Sequence, residues 1–486
     1  MAVTKSTPSD SLTVIDNRTG RSINIPITHN SVPATAFKAL KAPQDSSNPS
    51  HREEDDFAAG LRIYDPAFMN TAALSSRITY IDGERGMLMH RGYPIEQLAE
   101  KSDFLEVAYL LIYGDLPNKP QSERWRWEIM HHTFLSDDLT RMMAAHRYDA
   151  HPMAIFASTF SAMSAFSPEA NPALQGQNLY VNDKAAMNKQ IVRILGKATT
   201  VAANAMRIRI NRPFVLPRSD LSYTENMLFM MDHMNEPSSY RPDPRLAKAL
   251  DVLFVLHADH EMNCSTAAMT HVGSSLVDPY SAIAAAACAL YGPLHGGANE
   301  AVIRMLQKIG TVENVPAFIE GVKNRKQLLF GFGHRIYKNT DPRSKIIREV
   351  ADTVFEIIGA KEPLIEVAIA LRDAALNDAW FQEKKLYPNV DYWSGLVYKA
   401  LGFPLDFFPV LFAVPRVAGW IAHWKQQIDS GTNKIARPRQ LYVGEKRRDY
   451  VPLDQREDTG EPKDSKVGLK ELPHYMSKRK LLPARL

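Results

Sequence analysis

Helical periodicity from Pro94 onward is the feature that most restricts the fold of this chain. Apolar residues recur at a spacing of three to four in segments separated by Pro and Gly, for example in residues 105–111, 187–210, 246–260 and 282–290. This spacing builds the apolar face of an amphipathic helix. The sequence has no alternation of strands and helices, no dinucleotide-binding glycine fingerprint, no phosphate-loop motif and no nucleophile-elbow motif. The body of the protein is therefore predicted to be all-α.

Short β-strands are predicted before the helical body. Residues 12–15 and 23–27 flank a polar turn and predict one hairpin, and residues 78–92 predict a second hairpin around an Asp-Gly pair. Between the two hairpins, a stretch near 42–57 is rich in Ser, Asp, Glu and Pro, which is typical of a linker. A small β-containing region is thus expected to precede the helices.

The composition is that of a globular protein without a polyanion-binding surface. The 486 residues suffice for two to four packing units, and a net charge of +4 gives no reason to expect nucleic acid as a partner. Two cysteines, Cys264 and Cys288, exclude a disulfide framework and indicate an intracellular protein. The longest apolar run near the middle, residues 282–291, is too short to cross a bilayer, so no transmembrane helix and no membrane partner are predicted.

The two ends of the chain differ in their targeting signals. The first twenty residues contain Asp10 and Asp16 and lack the pattern of a secretory or transit peptide. From Glu445 onward the sequence is typical of an extended tail, and it ends in Ala-Arg-Leu at 484–486 behind a basic stretch at 478–480. This ending resembles the peroxisomal address S-K-L. A peroxisomal location and a peroxisomal import receptor as partner are expected; otherwise the protein is cytoplasmic.

The first of four polar clusters in the helical body is HADHEMN, residues 257–263. His257 continues the apolar face of residues 250–254, so it is interpreted as a core histidine. His257 and His260 could also bind a metal, but the sequence matches neither zinc-protease motif and offers no obvious third ligand. No metal site is predicted.

The second cluster, GPLHGGANE at 292–300, places His295 on a glycine turn at or just before a helix N-terminus. The positive end of the helix dipole disfavours a charged imidazole there. A neutral His295 could donate a hydrogen bond to a carbonyl that becomes an enolate, and a simple capping turn is the alternative.

The third cluster, GFGHRIYKNTDPR at 331–343, combines two glycines, a histidine and three cations, which favours an anionic ligand over a solvated basic loop. The fourth, YPNVDYWSG at 387–395, contains Asp391. This residue is predicted to be the N-cap of a helix at 396–401, or else a base whose basicity is raised by the neighbouring aromatic residues.

Two downstream segments carry further arginines. Arg416 interrupts the mostly apolar residues 407–420, where an arginine must have a partner or a ligand. Arg437 follows a flexible Ser-Gly-Thr stretch at 430–432.

The motifs GPLHGGANEA, GFGHRIYKNTDPR, YPNVDYWSG and IARPRQLYVG, in this order, closely resemble those of citrate synthases, and HADHEMN and GWIAHW add to the likeness. The resemblance covers roughly residues 61–444 and is closest to the longer bacterial-type enzymes. It implies the condensation of an acyl-CoA with oxaloacetate by an almost entirely helical protein.

The resemblance implies three catalytic residues. Asp391 would remove a proton from the thioester methyl group, neutral His295 would hydrogen-bond the thioester carbonyl, and His334 would polarise or protonate the ketone of oxaloacetate. A thioester methyl group is a very weak carbon acid, so a positioned base and a stabilised enolate oxygen are both needed. No metal or redox cofactor is implied, because the CoA thioester is a substrate.

The resemblance also implies residues that bind the substrates. The oxaloacetate ligands would be His260, Asn263, Arg343, Asn389, Arg416 and Arg437. The CoA contacts would be Leu294, Gly296, Gly297, Gly331, Gly333 and Lys338. In the family the residue that matches Arg437 comes from the partner subunit, which implies a homodimer, with a hexamer as the alternative.

The family fold implies a large helical domain at 61–303 and 411–444 and a small helical domain at 304–410. An N-terminal β-containing region with a linker would occupy 1–60, and a C-terminal extension with the targeting tripeptide would occupy 445–486. In the family the small domain closes over oxaloacetate, and closure keeps a reactive enol thioester from water.

The residues around Arg416, VPRV at 414–417, differ from the alanine-arginine-threonine surroundings usual in the family. Two alternatives to acetyl-CoA therefore stay open: an alkylcitrate synthase that takes a longer acyl-CoA, and a 2-methylcitrate synthase that uses propionyl-CoA. An ATP-dependent citrate-cleaving enzyme would need phosphate-grasping sequence, which is not found. A helical scaffold without activity would have no reason to keep His295, His334 and Asp391 together.

Overall fold

A computed structural model describes residues 10–45, 59–333, 336–337, 339–359, 363–431, 433–445 and 447–457. Contacts divide the chain into two compact units, one formed by Met1–Ala73 with Pro438–Leu486 and the other by Leu74–Arg437. The division of the helical body into a large and a small domain stays a prediction. His334, Lys338 and the tripeptide 484–486 lie outside the described residues.

The secondary structure is mainly helical. The strands are β1 Ser11–Asp16, β2 Arg21–Pro26, β3 Thr79–Asp82, β4 Met87–His90 and β5 Tyr93–Pro94. The helices are α1 Ile95–Lys101, α2 Phe104–Tyr113, α3 Lys119–Met130, α4 Asp137–Ala144, α5 Pro152–Ala165, α6 Pro172–Gln175, α7 Leu179–Asn182, α8 Lys184–Arg209, α9 Tyr223–Asp232, α10 Pro244–His257, α11 Cys264–Gly273, α12 Pro279–Tyr291, α13 Ala298–Ile309, α14 Val315–Lys323, α15 Pro342–Ile358, α16 Pro363–Leu376, α17 Ala379–Glu383, α18 Val390–Ala400 and α19 Phe408–Asp429.

Both predicted hairpins are confirmed. Strands β1 and β2 pair antiparallel from Ser11 opposite Pro26, and β3 and β4 pair antiparallel from Thr79 opposite His90. In the turn between β3 and β4, the Asp82 carboxylate accepts hydrogen bonds from the backbone N–H groups of Glu84 and Arg85, at 3.1 and 3.0 Å. Such a side-chain turn explains why an aspartate begins this loop.

Helix α19 lies at the centre of the helical body. It packs against α2, α8, α11 and α12, and residues Leu405–Asp429 have the length and hydropathy of a membrane-crossing helix. In the apolar window of this segment, 89% of the residues are buried inside the protein. Its apolar surface is therefore used for packing against neighbouring helices, as in the core of a multi-helix fold.

The helix predictions are confirmed for 105–111, 187–210 and 282–290, which lie almost wholly within α2, α8 and α12. The prediction for 246–260 is wrong at its end, because α10 stops at His257. After it, Glu261 takes a left-handed conformation with φ of +57°, and its N–H bonds to the Asp259 carboxylate at 3.2 Å. His260 therefore lies on a turn and not on the helix.

Candidate active site

His295 lies where the sequence predicts it, on a turn immediately before helix α13. The turn is closed by its own backbone: the His295 N–H donates to the Gly292 carbonyl and the Gly296 N–H donates to the Leu290 carbonyl, both at 2.9 Å. Gly297 is the N-cap of α13. The imidazole is partly buried.

The contacts of His295 determine which ring nitrogen carries the proton. Its Nε2 lies 3.0 Å from the Ser265 hydroxyl and 3.3 Å from the Ser265 backbone nitrogen. A backbone N–H can only donate, so Nε2 accepts and Nδ1 keeps the hydrogen of a neutral ring. Burial, with a contribution from the positive charge of Arg416, lowers the pKa of His295 to about 4. A neutral donor at Nδ1 results.

Asp391 is the second residue of helix α18, not its N-cap. The N-cap is Asn389, whose side-chain oxygen accepts the Asp391 N–H at 3.0 Å. The predicted cap position is wrong because α18 begins at Val390, well before the apolar run at 396–401. Asn389 takes the capping role, so the carboxylate of Asp391 is left for another use.

The environment of Asp391 makes its carboxyl group unusually basic. Burial raises its pKa to about 6 and the Asp341 carboxylate adds to the rise, while the guanidinium groups of Arg343 and Arg416 oppose it. The aromatic neighbours Tyr392 and Trp393 are buried in the core. Desolvation is thus the main cause, as the sequence suggested for a carboxylate beside aromatic surface.

The two arginines whose charges act on this carboxylate are almost completely buried. Arg343 forms a two-pronged ion pair with Asp341, from Nε at 3.0 Å and Nη2 at 2.8 Å. Arg416 Nε donates to the His257 carbonyl at 2.7 Å, and its guanidinium lies 4.6 Å from the centre of the Phe412 ring. Among the described residues, no acceptor bonds to its Nη groups. Burying two cations is costly unless counter-charges or hydrogen bonds compensate, and of the two only Arg343 forms an ion pair with a described residue.

These charges influence one another. Burial lowers the pKa of Arg416 to about 10 and Arg343 adds to the fall, while Asp259 and Asp391 oppose it. Arg343, Asp391 and His295 all respond to one another or to Arg416. Arg343 and Arg416 thus act electrostatically on Asp391, and Arg416 also acts on His295, although these four predicted residues come from distant parts of the chain.

The remaining predicted oxaloacetate ligands occupy different settings. His260 is buried, and its Nε2 lies 3.3 Å from the Tyr337 hydroxyl. Asn263 is the N-cap of α11, where its side-chain oxygen accepts two backbone N–H groups. Asn389 also donates from Nδ2 to the Gly333 carbonyl at 2.9 Å. Both asparagines hold the backbone of the site.

Arg437 is not brought into this group. Its side chain is exposed, and no hydrogen bond or ion pair joins it to any residue that the structure describes.

The candidate CoA contacts that the structure describes are Leu294 and four glycines. Leu294 is completely exposed at the tip of its turn. A Cβ on Gly296 would lie 2.7 Å from the Leu290 carbonyl oxygen, and a Cβ on Gly331 would lie 2.7 Å from Val302. Gly331 and Gly333 also have positive φ values, +77° and +73°. Protein atoms occupy the space beside these glycines, so their first role is close packing.

Three residues of this region were missed by sequence reasoning. Ser265 contacts His295, Asp341 pairs with Arg343, and Tyr337 contacts His260. The spacing Asp-x-Arg is a local signal for the Asp341 pair, but Ser265 and His295 are thirty residues apart. No group of three or more His, Cys, Asp or Glu residues in the described part of the chain could hold a metal ion.

The model of the family described as "Citrate synthase, C-terminal domain" matches residues 67–439. A citrate synthase of Dictyostelium discoideum is 56% identical over 92% of this chain and 85% of its own length. A peroxisomal citrate synthase of the same organism is 55% identical over 92% of this chain and 88% of its own length.

A solved structure gives a similar result. The citrate synthase of Thermoplasma acidophilum in ternary complex with carboxymethyl coenzyme A and oxaloacetate is 31% identical, with a TM-score of 0.72, over 80% of this chain and 98% of that one. The chain belongs to the citrate synthase family.

Proposed function

We propose that this protein condenses acetyl-CoA with oxaloacetate and water to form citrate and free CoA. The observation that carries the proposal is a basic carboxyl group, Asp391, under the influence of two buried arginines, one of which, Arg416, also acts on the neutral imidazole of His295. The citrate synthase names of its relatives support the same reaction. Carbon-acid chemistry needs this combination of base, hydrogen-bond donor and anion-binding cations.

In the first step the Asp391 carboxylate takes a proton from the methyl group of acetyl-CoA. A carboxyl group with a pKa of about 6 is still ionised at neutral pH and is a stronger base than an ordinary aspartate. The Nδ1–H of His295 donates to the thioester oxygen as negative charge develops there. Because Ser265 holds Nε2 from the other side, the ring is already oriented before the substrate arrives.

In the second step the enol carbon attacks the ketone carbon of oxaloacetate, and the ketone oxygen takes a proton that His334 supplies. Water then cleaves the citryl-CoA thioester, giving the third carboxylate and the free thiol of CoA. The loss of the thioester makes the overall condensation favourable. Arg343, Arg416 and His260, with Asn263 and Asn389 shaping the backbone, hold the dicarboxylate, whose charge matches buried guanidinium groups.

The CoA part of the substrate is assigned to the two glycine turns. In the sequence Leu294, Gly296 and Gly297 flank His295, and Gly331, Gly333 and Lys338 flank His334, so we assign contacts with the thioester to the backbone of both segments. We also place Arg437 in the active site of a second subunit in a homodimer. Its exposed side chain and lack of an acceptor in the described part of its own chain support this assignment.

The proposed location is the peroxisome. A 55% identical relative is named as a peroxisomal citrate synthase. A tagged protein should co-localise with a peroxisomal marker, and removal of residues 484–486 should leave it in the cytosol if the import receptor reads that tripeptide. Import that continues without them would assign the address to another segment.

The acyl donor is tested with purified protein, oxaloacetate and three thioesters, acetyl-, propionyl- and hexanoyl-CoA, by following the release of free thiol. We expect the highest kcat/KM with acetyl-CoA. A clear preference for propionyl-CoA would establish a 2-methylcitrate synthase, and a preference for hexanoyl-CoA an alkylcitrate synthase. An activity that requires ATP would reject the condensation proposal altogether.

A further inference from the structure

The β3–β4 hairpin carries none of the proposed site residues, yet its turn lies against the segment that precedes Arg343. A Cβ on Gly83 would overlap the carbonyl oxygen of Ile336 and lie 2.8 Å from its carbonyl carbon. A Cβ on Gly86 would lie 2.7 Å from the carbonyl oxygen of Thr340. Both contacts are with backbone atoms, which cannot swing away as a flexible side chain can. The approach of the two segments therefore requires glycine at both positions.

The other end of the same hairpin holds the turn that carries His260. The Thr79 hydroxyl, at the start of β3, donates to Asp259 Oδ2 at 2.6 Å. That carboxylate oxygen also accepts the N–H of Glu261, whose φ of +57° is unusual for a non-glycine residue. Strained backbone persists only where its surroundings hold it in place. Thr79 and Asp259 thus fix the turn on both sides of His260.

The two segments held by the hairpin meet through their side chains. The Tyr337 hydroxyl lies 3.3 Å from His260 Nε2, and the two rings are 5.7 Å apart in an edge-to-face arrangement. Both side chains are buried. Burial raises the pKa of Tyr337, while the positive charge of Arg343 opposes the rise, so the hydroxyl stays protonated beside a proposed oxaloacetate ligand.

We infer that the β3–β4 hairpin positions the His260–Tyr337 pair for the keto acid, with Tyr337 and Gly83 as positioning residues that act through His260. The inference rests on the proposed role of His260 in binding oxaloacetate. Its physical basis is preorganisation: a hydrogen-bond donor already held in place loses less freedom when the ligand binds. Affinity for oxaloacetate should therefore depend on residues that never touch it.

The test compares Tyr337→Phe, Gly83→Ala and Gly92→Ala in steady-state kinetics. Tyr337→Phe removes one hydroxyl group, and Gly83→Ala displaces the backbone of Ile336 without altering a side chain of the pair. We expect each to raise the KM for oxaloacetate roughly three- to tenfold, the usual effect of one hydrogen bond. The kcat and the KM for acetyl-CoA should change less than twofold.

Gly92→Ala is the matched control. Gly92 lies two residues after β4 and has a φ of +92°, but no atom lies within 4 Å of a Cβ built there. The control should strain the hairpin backbone without displacing Ile336, and it should leave the KM for oxaloacetate unchanged. The inference would be overturned if Gly83→Ala had the same kcat and the same two KM values as Gly92→Ala.

Two further outcomes separate this inference from the proposed function. A wild-type protein that releases no CoA from acetyl-CoA and oxaloacetate rejects the proposed function before any variant is compared. An active wild type whose Tyr337→Phe variant keeps the parental KM for oxaloacetate rejects the positioning role alone. If Gly83→Ala does not fold, Tyr337→Phe decides the question, because it changes no backbone atom.

Discussion

The proposed cations of the site fall into two groups that differ in burial and in whether their own chain supplies a bonding partner. Arg343 and Arg416 are buried, and each has a partner within the chain, the Asp341 carboxylate and the His257 carbonyl. Arg437 is exposed and has no acceptor in the part of the chain that the structure describes. A buried charge needs partners within the fold because desolvation is costly, whereas an exposed cation stays solvated and is available to a second molecule. The predictions below separate the buried group from the exposed residue.

The largest effect is expected in the buried group, from Asp391→Asn. Loss of the base should lower kcat roughly a hundred- to ten-thousandfold. Since burial raises the pKa of Asp391 to about 6, the charged form is disfavoured in the fold at higher pH, and the variant should not lower the melting temperature at pH 8. Asp138→Asn, in the exposed first turn of α4, is the control and should retain parental activity. A kcat within twofold of wild type would remove Asp391 from the mechanism.

The next largest effect is expected from Arg416→Lys. In the wild type, Arg416 donates from Nε to the His257 carbonyl and has its Nη groups left for the substrate. Lysine keeps the charge but cannot do both, so the KM for oxaloacetate should rise about tenfold or more. Arg141→Lys, at an exposed ion pair with Asp137, supplies the control. An unchanged KM would mean that Arg416 only joins helices α10 and α19.

A smaller effect, of different origin, is expected from Arg437→Ala. The KM for oxaloacetate should rise roughly tenfold through the loss of one charged hydrogen bond. If Arg437 acts in the partner's site, refolding equal amounts of the Arg437→Ala and Asp391→Asn chains together should produce mixed dimers with one intact site each. Half of the dimers are mixed, so about a quarter of the wild-type number of sites should be active at low oxaloacetate. No recovery would place Arg437 in its own chain's site or outside any site.

The smallest effect concerns pH. Asp391 must be ionised to act, so kcat/KM should fall as pH drops through about 6, the value to which burial raises its pKa. Arg437→Ala should leave this midpoint unchanged. Arg416→Gln removes a positive charge that lowers the pKa of Asp391, so it should move the midpoint upward. A midpoint near pH 4 in the wild type would contradict the desolvated carboxylate.

Local sequence patterns were sufficient to predict most of the secondary-structure elements and the position of His295 before a helix. Both hairpins and three of four helical segments were predicted from apolar spacing and turn residues, and the place of His295 before α13 followed from its glycines. The local rule failed where side chains compete for the backbone. Helix α10 ends at His257, and the Asp259 carboxylate bonds the backbone of the turn that follows. Asn389 takes the cap that Asp391 was expected to form.

The sequence by itself determined the helical class, the order of the motifs and the presence of a base, a neutral donor and several cations. Only the tertiary structure decided that Asp391 is desolvated beside Arg343 and Arg416, that Ser265 selects the tautomer of His295, and that the β3–β4 hairpin lies against the segment carrying Tyr337. The physical reason is the separation along the sequence of the residues that interact. Periodicity and capping act over a few residues, whereas desolvation and hydrogen bonding depend on neighbours that only folding brings together.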